Sequence, residues 1–387
     1  MKTSLDRSAR RGGFALILVM ITIIALTSLV ASFAISMKTE VTLARNADYD
    51  NQMEWMGRSG IELARYALAN KSPEQKNIDA LNQFWASGIP TGSNDIALSL
   101  KDFPLGEGKI TVTITDMERK WDINLVANAR APQRDVLQKA LAVIGVTDAE
   151  QASTIEASIL EWCDPSGAAG FSGATEEDYM KLNPPYHCKG GPIDDLSELL
   201  LVKGVTPEIY WGSNSTNHPV SAFQQHGGGG FDQPTARGGI FRNDNEPVYP
   251  VGLEQLFSPM GGKLNINTAS ALTLQLIPGM DEATAQRIIQ QRAGPDGIDG
   301  TDDDMPFQNV GEINSGFGGG GGPGNVPGGP PGGVAAQAIG NYVDVRSYVF
   351  QVRVDAVING YSRTFYGIVG RGGRGAQQLQ CVKFYWE

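Results

Sequence analysis

Histidine is scarce in this chain of 387 residues: there are three, His187, His218 and His226, and none has a spacing suited to zinc. No P-loop, dinucleotide fingerprint or nucleophile elbow is present. Recognisable machinery for hydrolysis, hydride transfer or phosphate binding is therefore missing, and the expectation is a protein that is not an enzyme. Basic residues are outnumbered, with 31 Lys and Arg against 42 Asp and Glu and a formal net charge of -11. That balance disfavours non-specific nucleic-acid binding, which needs clustered cations against phosphate. Cysteine is limited to Cys163, Cys188 and Cys381. In an oxidising compartment Cys163 and Cys188 would close a loop of about 25 residues, a bond that contributes ~3 kcal/mol in the chain-entropy model. The alternative is three buried thiols.

Charge is missing altogether between Phe14 and Met37. The run is close to the ~20 apolar residues that cross a bilayer. It follows a short basic segment, Lys2, Arg7, Arg10 and Arg11, which should stay on the cytoplasmic side. A cleaved secretory signal would have a shorter apolar core and a turn after it. Here Lys38 to Arg45 continue without Gly or Pro, and the first break is Gly57. The expected helix runs from Phe14 into Ala69, and its second half turns amphipathic through Ile61, Ala64 and Leu68.

Further along, Gly108 to Asp116 alternates apolar and polar residues as a half-buried strand does. Ser347 to Val357, the turn Asn359-Gly360, and Ser362 to Val369 read as a hairpin, with Gln378 to Trp386 as a third strand. Between these strand regions the chain reads as helical from about Lys120 to Gln291, including Arg134 to Ile144 and Ala149 to Glu161. Gly-rich stretches at 227–230, 318–322 and 328–333 read as loops or linkers. The fold class expected is α+β: a transmembrane and amphipathic helix on an antiparallel sheet, interrupted by a large helical insertion.

Two motifs narrow the reading. The Gly13-Phe14 junction resembles the site cut by prepilin peptidase in type IV pilins and pseudopilins, which implies cleavage after Gly13 and N-methylation of Phe14. Most such subunits carry Glu at the fifth mature position; here it is Leu18, which suits a subunit with no neighbour ahead of it. In the helical section, Trp162-Cys163-Asp164, Gly173-Ala174-Thr175-Glu176, Pro184-Pro185-Tyr186 and Ser197-Glu198-Leu199 through Gly204-Val205-Thr206 follow in an order that resembles the minor pseudopilin K family of type II secretion. The resemblance implies a subunit at the tip of a periplasmic pseudopilus, anchored in the inner membrane. It implies partners among the I- and J-type minor pseudopilins and the major pseudopilin, with prepilin peptidase as processing enzyme and no nucleic acid. The corresponding division is a leader at 1–13, a membrane helix at 14–37, the pseudopilin helix and first strands at 38–120, a helical insertion at 121–295, an acidic loop and linker at 296–340, and closing strands at 341–387.

Leu264 to Ile289 resembles a helix-hairpin-helix, the basis of an alternative reading as a membrane-anchored DNA-uptake protein. The second hairpin Gly of DNA-binding versions is replaced by Asp281, followed by Glu282, and two carboxylates there would repel phosphate. A type IV pilus minor pilin is a further alternative. For metal, the Gly-rich loop 296–304 gathers carboxylates that suit Ca²⁺, with Asp296, Asp299, Asp302 and Asp304 as expected ligands. The K-family resemblance implies weaker calcium candidates at Asp164, Glu176, Glu177 and Asp178. The family's usual second Asp is Ser166 here.

Overall fold

A computed structural model describes residues 12–73, 75–87, 100–127, 134–163, 173–213, 249–313, 339–372 and 379–386. Helix α1 spans Gly12–Ala69. With no Gly or Pro between Phe14 and Met56, nothing interrupts its backbone ladder. Its hydroxyls bond back into the helix: Thr22 Oγ1 donates to Val19 O and Thr27 Oγ1 to Ile23 O, each at 2.9 Å. Polar groups at membrane depth are thereby satisfied without water.

Five strands form one antiparallel sheet: β1 (Phe103–Leu105), β2 (Gly108–Asp116), β3 (Val349–Ile358), β4 (Tyr361–Arg371) and β5 (Leu379–Trp386), in that spatial order. The alternation along β3 puts Phe350, Val352, Val354, Ala356 and Ile358 on a buried face. The second half of α1 lies over that face through Met53, Ile61, Ala64 and Leu68. Gly60 permits the close approach, since a Cβ there would lie 2.5 Å from Val354 Cγ1. At the turn between β3 and β4, Asn359 and Gly360 have φ of 48° and 84°, the left-handed pair that a tight hairpin requires.

Everything between β2 and β3 is inserted into this sheet. Its own core is built from α2 (Arg134–Ile144), α3 (Ala149–Cys163), α4 (Ala271–Gln275), α5 (Glu282–Arg292) and shorter turns. Two short parallel bridges close it, Trp121-Asp122 with Phe257-Ser258 and Leu264-Asn265 with Val343-Asp344. Phe307, Ile313, Ile339 and Tyr342 join the same core, so its packing reaches past residue 295. The Gly-rich stretches at 227–230, 318–322 and 328–333 lie outside the described residues.

Candidate functional site

The first half of α1 has no partner inside the molecule. Phe14 is 73% exposed and Leu18 53%, and Ile21, Leu29 and Phe33 are equally open. At ~1.5 Å per residue, Phe14 to Met37 measures about 36 Å, enough to span a hydrocarbon layer of ~30 Å. An apolar surface of that extent calls for lipid or other helices around it. Gly13 and Phe14 lie in the first turn of this rod.

The two ends of the sheet are used differently. At one end the β3–β4 turn rests on α1: Asn359 Nδ2 donates to Tyr49 Oη at 3.1 Å, and Tyr361 Oη donates to Asp50 Oδ1 at 3.0 Å. At the other end, ten residues of β3 away, the insertion joins the sheet through buried charge. Asp79 accepts from Arg371 Nη1 at 2.7 Å and pairs with Lys71. Asp116 Oδ2 accepts from Ser347 Oγ at 2.6 Å, Thr268 Oγ1 at 2.5 Å and Asn265 Nδ2 at 3.3 Å. Glu118 Oε2 accepts from Tyr348 N at 2.9 Å. Thr268 and Asn265 belong to the insertion, whereas Ser347 and Tyr348 lead into β3. The network thus fastens one core to the other.

Its electrostatics follow from burial. Asp79 stays below the usual carboxylate range, because Lys71 and then Arg371 outweigh desolvation together. Asp116 and Glu118 have no cation at hydrogen-bond distance among the described residues. Burial pushes Asp116 up to about 6 and Glu118 up to about 8. Burial lowers Lys71 to about 8 against the pull of Asp79. None of these residues stood out in the sequence. Apart from Lys71 and Asp79, which are eight positions apart, their partners on other elements lie 149 to 292 positions away, so no local spacing could mark them.

The expected calcium ligands of the acidic loop serve the loop's own fold. Asp299 receives both arms of the buried Arg292, Nε at 3.0 Å and Nη2 at 2.7 Å. Arg292 Nη1 also donates to Ile266 O at 2.6 Å, tying the loop to the insertion core. Asp296 Oδ1 caps Ile298 N at 2.8 Å, and Asp304 Oδ2 caps Gly300 N at 2.8 Å. Among the described residues, no three His, Cys, Asp or Glu side chains converge to hold a metal, Asp302 included.

The second set is also spent locally. Glu176 accepts from Cys188 N at 2.8 Å and lies 2.5 Å from His187 Nδ1, a contact that holds its carboxyl below the ordinary range. Asp178 accepts from Thr175 N at 2.9 Å, and Glu177 reaches Lys181 at 3.9 Å. Asp164 lies outside the described residues. The Cys163–Cys188 bond is not formed in this structure. All three cysteines are free, and Cys188 Sγ donates to Glu161 O at 3.8 Å. Burial pushes the Cys163 thiol up to about 12.

The helix-hairpin-helix segment becomes α4, a turn at Ile277 to Met280, and α5. Asp281 is the N-cap of α5, its Oδ1 accepting from Thr284 N at 2.8 Å. Leu274, Leu276, Ile277 and Ile288 are buried, so the unit packs the insertion core. The carboxylate occupies the position where a phosphate-binding hairpin would present backbone amides.

Two family models for type II secretion system protein K match this chain, over residues 120–212 and 264–327. The protein K of Klebsiella pneumoniae is 25% identical over 209 residues, 52% of this chain and 60% of that protein. That of Aeromonas hydrophila is 24% identical over 217 residues, 52% of this chain and 61% of that protein. These matches span less than two thirds of the relatives' own length. Among solved structures, a chain of the GspK–GspI–GspJ complex from the enterotoxigenic Escherichia coli type 2 secretion system superposes with a TM-score of 0.59 at 19% identity. That match covers 89% of this chain and 99% of the other, and it establishes the shared fold.

Proposed function

We propose that this chain is a member of the type II secretion system protein K family, whose models match it over residues 120–212 and 264–327, and that it works as a minor pseudopilin at the tip of a pseudopilus. In this reading it is a single-pass inner-membrane subunit with its amino terminus in the cytoplasm and its head in the periplasm. It joins I- and J-type minor pseudopilins above the major pseudopilin. It supports export across the outer membrane by starting or capping the filament. Its family is a structural component of the secretion machine, and the energy for export comes from elsewhere.

One observation carries the reading. The insertion sits at the end of the sheet opposite the β3–β4 turn, and that turn is the end nearest the apolar rod. A body placed there occupies the space into which a following subunit would stack. Leu18 adds to this, because it offers no carboxylate to a subunit ahead. The DNA-uptake alternative loses support from Asp281, which caps α5 where phosphate would have to bind.

Processing before Phe14 is part of the same proposal. Intact-mass measurement of the membrane form should give a chain beginning at N-methylated Phe14. A chain still beginning at Met1 contradicts the processing. Calcium binding by the head rests on the sequence alone, and a melting temperature unchanged between Ca²⁺ and chelator removes it. The functional test is genetic. Deleting the gene should abolish export of type II cargo, and complementation should restore it; export that continues unchanged in the deletion strain contradicts the role.

A further inference from the structure

We propose that the groove between α1 and the β3–β4 turn binds the phosphate of an anionic phospholipid headgroup in the leaflet facing the head. The groove is lined by Thr42, Arg45, Asn46, Tyr49, Asn359 and Tyr361. This rests on the membrane-anchor reading of α1 and adds a site to it.

Position is the first argument. Thr42 and Arg45 follow Met37 by about 7 Å and 12 Å along the helix axis. The headgroup layer on each side of the hydrocarbon is roughly 5–8 Å deep. Helical side chains lean toward the N-terminus, which here is toward the membrane. The stem of Arg45 therefore carries its guanidinium back to headgroup level, as basic side chains do at helix ends.

Chemistry is the second. Among the described residues Arg45 makes no hydrogen bond or ion pair, and it is exposed. The acidic group nearest the turn, Asp50, is already occupied: Arg363 Nη1 and Tyr361 Oη both donate to its Oδ1 at 3.0 Å. Asp48 and Glu40 are the other carboxylates on this stretch: Asp48 lies farther along α1 from the membrane, and Glu40 lies nearer to it beside Lys38. The groove therefore presents a free guanidinium beside the amide of Asn46, two donors suited to phosphate oxygens, while Thr42 Oγ1 donates to Lys38 O at 2.9 Å within the helix.

Rigidity is the third. Tyr49 and Tyr361 stack with ring centroids 6.4 Å apart, and the Asn359 amide clamps the turn onto Tyr49. Two tyrosines side by side where a rod leaves the bilayer match the aromatic belt of membrane proteins.

The test uses the full-length protein in nanodiscs of phosphatidylcholine, with and without phosphatidylglycerol, followed by amide hydrogen exchange. Residues 42–49 and 359–361 should exchange several-fold more slowly when phosphatidylglycerol is present. Arg45→Glu should abolish that difference and Arg45→Lys should keep most of it. Inorganic phosphate added to phosphatidylcholine discs should not reproduce the protection. Equal exchange in both lipids overturns the proposal, as does protection by inorganic phosphate alone or protection that survives Arg45→Glu. The apolar run 14–37 serves as the control. Its protection in every disc keeps the anchor reading standing whatever the groove does, and its free exchange would remove the anchor and the site together.

Discussion

Arg371 and Asp79 are 292 residues apart in sequence, yet Nη1 of one donates to Oδ2 of the other at 2.7 Å with both side chains buried. The pair joins the last residue of β4 to the segment that follows α1, and Lys71 completes it. Removing the anion would leave two buried cations facing each other. Asp79→Asn should therefore destabilise the head by about 3–5 kcal/mol, the usual cost of breaking a buried pair from one side. Chemical denaturation of the head reads this directly. A loss below ~1 kcal/mol, the worth of an exposed pair, would mean the network is not what joins the two cores.

The junction also sets a pH dependence. Glu118 goes from an ordinary 4.5 to about 8 in the fold, and Asp116 from 3.8 to about 6. A raised carboxyl binds its proton more tightly folded than unfolded. The stability it contributes is complete below its ordinary value and is lost as pH rises through the folded one. Stability should therefore fall between about pH 4.5 and 8. Lys71 titrates above that window, and the nearby Asp344 adds to the displacement of Glu118. Glu118→Gln keeps an acceptor for Tyr348 N without the charge. It should raise the melting temperature near pH 8 and flatten the fall, by an amount on the order of a few kcal/mol. A melting curve of the variant that tracks the parent at every pH would refute this assignment.

Contact between α1 and the sheet depends on a missing side chain. Since a Cβ at Gly60 would sit 2.5 Å from Val354 Cγ1, Gly60→Val should overpack this interface and cost about 1–3 kcal/mol. Truncating the opposing residue makes room, so Gly60→Ala combined with Val354→Ala should recover part of the loss suffered by Gly60→Ala alone. Strict additivity of the two substitutions in thermal melts would argue against the close approach.

Much of this architecture can be read along the chain, because its elements are local. The charge-free run became the exposed half of α1, the alternation from Gly108 became β2, and Asn359-Gly360 became the turn between β3 and β4. The segment from Arg134 to Ile144 is helical as its periodicity implies. Residues whose roles depend on distant partners were less legible. Asp299 reads as a metal ligand in a row of carboxylates, but Arg292 neutralises it across a turn. Asp281 reads as a defect in a hairpin, and its reason is the cap of α5. Asp116 looks like an ordinary polar residue of an alternating strand. Only the fold brings Thr268 and Ser347 to it.

The most direct test of the filament-tip account is assembly. The head, co-expressed with the heads of the I- and J-type minor pseudopilins from the same organism, should co-purify as one complex containing all three and elute together on size exclusion. A head that elutes alone in the presence of both partners, while retaining its folded melting transition, would contradict the account.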